Sequence, residues 1–587
     1  MRFTGRRITG FLSLFSCLLM LALAACGSNG GTSGTTTTQS TRAPASKQIF
    51  AWPFPVQDLP TFDPALSTDA NSNTAIDMVF TGLVEFNDKL QIIDQLAASH
   101  QVSPDGLTWT FHLRPNLKFS DGTPLTSQDV AYSIDRSLKP SLKSVVAPTY
   151  LALVKDADKR NKGQIKTLIG DSLLTPDANT IQIIITRPAA YFLDALAYPC
   201  SYVVEKKVID QYGDTNWTSH LNAGGGDGPW KVSQWIHNKE IDLVPNPNYY
   251  GPRPQMSKLV IPFYKETDTT YRAYQVGQVS ISQVPTANLA QARSLPQGQL
   301  HPVPELWISF YNMNYLMKPF DNIKIRQAFS LAINRELIAQ NIYHGSVIPS
   351  THIIPQGMPG YNPNLTLPDG VKNLAGDPRL ARQLFDQGLQ EEGMTRATMP
   401  QITLTAAPQG VASYEQEFTA VQQMWQNALG IQVKLNFEDY NKFLADTDNN
   451  AGNAHGLMLW AFGWIADYPD PQDWTTLQFG KGAPYNQTNF GQNNSSTAAE
   501  QQAIQQQLAQ ADVMQDQAQR MATYQKLEQE LVNLVAWGPV YQVVYQIVLK
   551  PCVQGMVFND EFLVPPDDWG NIYISNNPIC INASAYQ

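Results

Sequence analysis

The feature that most constrains this chain is its one long uncharged apolar run, Ile8 to Ala25, which follows Arg2, Arg6 and Arg7 and stops at Cys26. A positive segment, an apolar stretch and small residues at its end (Leu23, Ala24, Ala25) make a secretory signal rather than an element of a fold. The run is near the lower limit for spanning a bilayer, and the shrinking side chains before Cys26 favour a cleaved signal over an anchor. Residues 27–47, GSNGGTSGTTTTQSTRAPASK, have no apolar periodicity. Such a tract buries too little surface to offset the ordering of its backbone and behaves as a flexible linker. Signal is therefore expected over 1–25 and linker over 26–47. The fold must be built from residue 48 onward, outside the cytoplasmic membrane.

Residues 48–587 are several domains' worth at roughly 100–200 residues each. The formal net charge is −10, or −13 without the signal, which carries three arginines and no acid. An acidic chain without basic clusters excludes nucleic acid as partner and adhesion to anionic lipid by charge alone. Five cysteines are present, Cys17 in the signal, Cys26 at its end, and Cys200, Cys552 and Cys580 beyond. Three cysteines allow three pairings; outside the cell a disulfide persists, and Cys552 with Cys580 is the preferred pair, leaving Cys200 free. The eight histidines are scattered, with no CxxC or HExxH, so no metal or other cofactor is expected.

Patterning along the chain mixes both periodicities. LTWTFHL (107–113) alternates, with Leu107, Trp109, Phe111 and Leu113 on one face, which predicts a half-buried strand. Thr126 and Asp129 then make a capping-box pair for a helix carrying Val130, Ile134 and Leu138. NTIQIIITRP (179–188) reads as a strand stopped by Pro188. Helical patterns fall at 324–342, 377–390, 414–429 and 497–535, most followed by strand-like runs such as IQVKLNF (431–437) and GLMLWAF (456–462). No strict βαβ rhythm appears, so the class is mixed α/β with more than one sheet.

Three stretches look like enzyme motifs. GDSL (170–173) matches a hydrolase nucleophile tetrad with Ser172, but it also reads as a turn before the strand at 179–185. AGGGDGPW (223–230) lacks the GK[ST] ending of a phosphate cradle and reads as a chain reversal. ADYPDPQDW (466–474) offers carboxylates for acid/base work, yet Pro469 and Pro471 argue for an extended loop in which Asp caps turns.

Several motifs in order carry a resemblance. These are FDPALSTDANSNTAIDMVFTGLVEF, SPDGLTWTFHLRPNLKFSDGTPLTSQDVAYSIDR, GDGPWKVSQWIHNKEIDLVPNPNYYG, NMNYLMKPFDNIKIRQAFSLAINRELI, GWIADYPDPQDW and RMATYQKLEQEL. Together they resemble the extracytoplasmic solute-binding proteins of family 5, the oligopeptide, dipeptide and nickel binders of ABC importers, on the peptide-binding branch. LALAAC likewise resembles the lipobox of bacterial lipoproteins, which implies lipidation of Cys26. The resemblance implies a mixed α/β, bilobal, periplasmic-binding-protein-like fold (type II, cluster C) with an extra domain inserted near the N-terminus. Lobe I is expected from 48–80, 206–306 and 545–587, the inserted domain from 81–205, and lobe II from 307–544. It further implies an ABC permease and ATPase as partners, a monomer held at the membrane by lipid, at the cell surface or in the periplasm, and no covalent chemistry. A tether of this kind raises effective concentration at the permease.

The resemblance also assigns ligand residues. Asp467 in GWIADY is expected to pair with a peptide's α-ammonium, since only a charge-assisted partner offsets dehydration of that cation. Gly463 and Trp464 would offer backbone to the peptide as an added strand. Tyr440 and Tyr414 fall where relatives place pocket or carboxylate-facing groups, and Thr68 lies in the segment that meets the ligand's start. The departures are specific. Ala461 and Tyr343 stand where certain relatives carry Arg and Lys, TAAPQGVASY has no basic residue, and Ser280 replaces an acid usual in the family, so the clamp for a ligand carboxylate does not transfer. A receptor for a nickel chelate, oligosaccharide or opine on the same fold is the alternative, and a hydrolase using Ser172 is the rival from another class.

Overall fold

A computed structural model describes residues 42–408, 411–483 and 485–577. The signal, Cys26 and Cys580 lie outside the described residues. Among the described residues no helix is long and apolar enough to cross a membrane.

The linker is shorter than its composition predicts. Arg42 already bridges Ser575, the Ala43 N–H donates to the Ile574 carbonyl at 2.9 Å, and Ala43 is buried. The Gln48 side-chain amide clasps the Ala43 and Ile574 carbonyls at 2.8 Å each. Residues 42–47 therefore belong to the body. Nothing in a polar stretch announces this, because its backbone partner lies 526 positions from Gln48.

One four-stranded sheet takes its strands in the order Ile49–Ala51, Lys258–Pro262, Glu240–Pro245, Trp230–Ile236, the first pair parallel and the rest antiparallel. Phe50, Trp52, Trp230, Leu259 and Trp569 fill the core on it, joining N-terminal, middle and C-terminal segments. Gly226 and Gly228 press against the backbone of Val79 where no Cβ would fit, and Thr81 donates from N–H and hydroxyl to Asp227 at 3.0 and 2.8 Å. The glycine-rich stretch is a close-packed reversal, as its missing GK[ST] ending predicts.

A second four-stranded sheet orders Ala97–Val102, Thr108–Leu113, Thr180–Ile184 and Leu173–Asp177. Phe111 and Leu113 are buried and His112 is exposed, as the alternation requires. Thr126 and Asp129 form the capping box of the helix Ser127–Ser137, which buries Val130 and Ile134.

The large sheet has seven strands. Its order is Ile281–Gln283, Gly538–Leu549, Leu300–Met313, Leu459–Ile465, Ile402–Ala406, Val433–Phe437, with Val347–Pro349 also on Gly538–Leu549. Leu300–Met313 and Gly538–Leu549 are its longest strands. Their register slips between Pro304↔Val544 and Ile308↔Gln542, so Glu305, Leu306 and Trp307 face Val543 alone. The pattern at 497–535 divides into Ala498–Ala511 and Gln517–Asn533. Asp516 caps the second helix through the Gln519 N–H, and Arg520 reaches back to the Ala511 carbonyl at 3.2 Å, which closes the break.

Candidate functional site

The strand read from GLMLWAF begins later than its sequence suggests and runs on, from Leu459 to Ile465. Over its whole length it pairs with Leu300–Met313, while Ile402–Ala406 reaches only Leu459 and Trp460 on the other side. The edge from Ala461 to Ile465 is therefore unpaired by any described strand. The Ala466 N–H donates to the Leu306 carbonyl at 2.8 Å. By the alternation of an antiparallel ladder, Phe462 and Trp464 turn their backbone groups to the neighbour, against the expectation for Trp464, and Ala461, Gly463 and Ile465 turn theirs to the open edge. A Cβ on Gly463 would collide with the Trp307 indole nitrogen. Gly463→Ala is expected to displace that ring at roughly 1–3 kcal/mol, measured as a lowered unfolding midpoint in denaturant.

The loop that follows is held rigidly. Asp470 caps Pro471–Trp474 through the Gln472 N–H and takes both arms of the Arg520 guanidinium at 2.6 and 2.7 Å. Asp473 Oδ2 accepts from Trp464 Nε1 at 3.1 Å and from the Asp467 backbone at 3.2 Å. These bonds fix where Asp467 stands. The Tyr150 hydroxyl lies close enough to act on its carboxylate, and its Oδ2 is enclosed without any hydrogen-bond partner. Burial pushes its pKa up to about 6, with the Tyr150 hydroxyl pulling the other way and no neighbouring cation contributing.

Aromatic rings from distant segments wall this carboxylate. Tyr150 stacks on Tyr198 at 3.9 Å, Tyr191 lies parallel to Tyr468 at 6.2 Å, and Tyr485 tilts against Trp464 at 4.9 Å. The Tyr198 hydroxyl donates to the Ser67 carbonyl at 3.4 Å, which brings exposed Thr68 to the rim. Asp467, Trp464, Gly463 and Thr68 thus converge. Tyr414 lies apart from them, within reach of Glu417 and Tyr440, and Tyr440 is exposed. Beside them Glu417 is buried and accepts from the hydroxyls of Tyr311, Tyr343 and Tyr541 at 2.9, 2.6 and 3.0 Å. An acid there, with no basic residue, gives a ligand carboxylate no clamp. Sequence reasoning did not find Tyr150, Tyr198 and Tyr485; none stands in a motif, and only the fold assembles them.

Residues 91–486 match the profile of the bacterial extracellular solute-binding proteins, family 5. The chain belongs to that family. Among its relatives, the oligopeptide-binding protein OppA of Bacillus subtilis is 25% identical over 81% of this chain and 84% of that protein. The dipeptide-binding protein DppE of the same organism is 26% identical over 89% and 92%. The unliganded open form of the murein tripeptide-binding protein MppA superposes with a TM-score of 0.73 at 22% identity, covering 92% of this chain and 99% of that one. The fold is the type II periplasmic-binding-protein fold of this family.

A family 5 protein binds solute and is not an enzyme, which removes the hydrolase reading. Ser172 explains why locally. It is wholly buried beside the strand Leu173–Asp177, its hydroxyl donates to Asp171 at 3.2 Å, and its carbonyl accepts from the Ile184 N–H at 2.9 Å. It is a turn residue that no substrate reaches. Among the described residues no cluster of His, Cys, Asp and Glu is placed to hold a metal. Cys200 is free and buried, and burial pushes its thiol far up. Cys552 is disulfide-bonded.

Proposed function

We propose that this family 5 protein captures peptides for an ABC importer, working as a monomer tethered outside the cytoplasmic membrane by lipid on Cys26, with a permease and its ATPase as partners. One observation carries the reading. An enclosed carboxylate oxygen of Asp467 lacks any partner, and it stands at the end of a strand whose edge from Ala461 to Ile465 is open. A peptide laid on that edge gains main-chain hydrogen bonds regardless of its side chains, and its α-ammonium supplies the donors that the carboxylate lacks. The names of the relatives point the same way. Tyr150 and Tyr198 close on the ammonium from 81–205 while Asp467 and Tyr485 hold it from 307–544, so a ligand that touches both favours the closed arrangement and shifts the population to it.

The decisive comparison is calorimetry with di- to pentapeptides beside their N-acetylated forms. Free-amine peptides bind and acetylated ones do not; equal binding of both would end the assignment of Asp467. The linkage to pH follows. In solution a carboxyl of this type titrates near 3.9, and here near 6. Between those values the folded, empty protein holds more protons than the unfolded chain, so its stability falls as pH rises through that window and the penalty is complete above it. The ammonium needs the ionised form. Affinity should be full above pH 6 and weaken about tenfold per unit below it, with proton release on binding near pH 6, read by calorimetry in buffers of different ionisation enthalpy.

A further inference from the structure

Beyond Asp467 lies acidity that one α-ammonium leaves unanswered. Glu305, in the slipped register of Leu300–Met313, is 1% exposed, and both its carboxylate oxygens are enclosed without a hydrogen-bond partner. Backbone bonds fix its surroundings. The Leu306 N–H donates to the Asp560 carbonyl at 3.0 Å, and the Leu306 carbonyl accepts from the Ala466 N–H at 2.8 Å, so one residue laces the Asp560–Glu561 loop to the Asp467 loop. The Glu305 carbonyl is in turn held by Gln542 Nε2 at 2.9 Å. Glu561 Oε1 is also enclosed and unpartnered.

The charges that act on Glu305 are Glu561 and Asp560. Those that act most on Glu561 are Asp467, Asp77, Asp194 and Asp560. All are acids. Burial, reinforced by these neighbours, pushes the Glu561 carboxyl up to about 8 and Glu305 well above its ordinary value. A pair of protonated, structural carboxyls would donate to an acceptor, and Glu305 has found none. Enclosed carboxyl oxygens without partners are satisfied when a cation enters, which supplies hydrogen-bond donors and stabilises the ionised form. With no metal cluster among the described residues, the countercharge that fits is organic.

We propose that Glu305 and Glu561 form a second cation subsite, which takes the ammonium or guanidinium of a basic side chain while the same peptide's α-ammonium sits on Asp467. This rests on the peptide reading above, and it narrows the substrate class to basic peptides. Tyr545, whose hydroxyl feels the charge of Glu305, would give the aliphatic stem of such a side chain an aromatic wall.

The test is calorimetry with alanine tetrapeptides that carry Lys at each position in turn, each beside its norleucine counterpart, on the wild-type protein and on Glu305→Gln and Glu561→Gln. At one position Lys should bind at least about tenfold tighter than norleucine, the scale of a desolvated ion pair. That preference should fall to about twofold or less in either variant, while both variants keep the wild-type circular dichroism and a cooperative thermal unfolding, which shows that they fold. Equal binding of Lys and norleucine peptides by wild type overturns the subsite and leaves the peptide reading standing. A lysine preference that survives both variants overturns its assignment to these residues. Failure of every free-amine peptide to bind overturns the peptide reading, and the subsite with it.

Discussion

Asp467→Asn is expected to lose roughly two to three and a half orders of magnitude in affinity for free-amine peptides, because the ammonium would be left dehydrated and unpaired at a cost of about 3–5 kcal/mol. Asn keeps the shape of the side chain, so the wall of rings is undisturbed. Its amide cannot neutralise a cation, and it turns a donor towards the ammonium where the carboxylate had an empty oxygen. The empty protein should behave in the opposite sense. Removing a buried charge without a partner should leave its melting temperature at pH 8 unchanged or higher, and it should abolish the proton release near pH 6. A variant that binds free-amine peptides like wild type would leave the ammonium with no partner in this chain.

Arg520→Met is the second large effect, and it falls on stability. Arg520 and Asp470 are buried and joined by two parallel bonds, so removing the cation strands a carboxylate in the core at about 3–5 kcal/mol. The lost pair also frees the loop that carries Asp467, since Asp470 orients Pro471–Trp474 and Asp473. A lowered unfolding midpoint should therefore come with weaker peptide binding. Adding Asp470→Asn removes the stranded charge and keeps a capping side chain of equal quality, so the double variant should recover most of the midpoint. If it instead unfolds as readily as the single variant, the loss comes from packing around the arginine stem rather than from the charge.

The local elements were legible where the determinants are near neighbours. Phe111, Leu113 and His112 obey the alternation, and Thr126 with Asp129 makes its capping box, since both depend on residues one to four positions apart. The strand ending at Ile465 starts at Leu459 rather than Gly456 because its pairing with Leu300–Met313, not pattern, sets its limits. Residues 42–47 look like linker and are bound, for their partner strand closes the chain. The division of 497–535 depends on Arg520 reaching back to Ala511, which periodicity does not encode.

For the site, the amino-acid order determined that a loop with Asp467 follows a strand bearing Gly463 and Trp464, and that no basic residue waits in TAAPQGVASY. Local chemistry suffices for that, because these groups are covalent neighbours. Only the tertiary structure decided that Tyr150 and Tyr198 stand by that carboxylate, that the strand's far edge stays open, and that Leu306 laces the Asp560–Glu561 loop to the Asp467 loop. Those relations join segments hundreds of residues apart, and what gives them force, the exclusion of water from charges and from unpaired backbone, does not exist until the chain has packed.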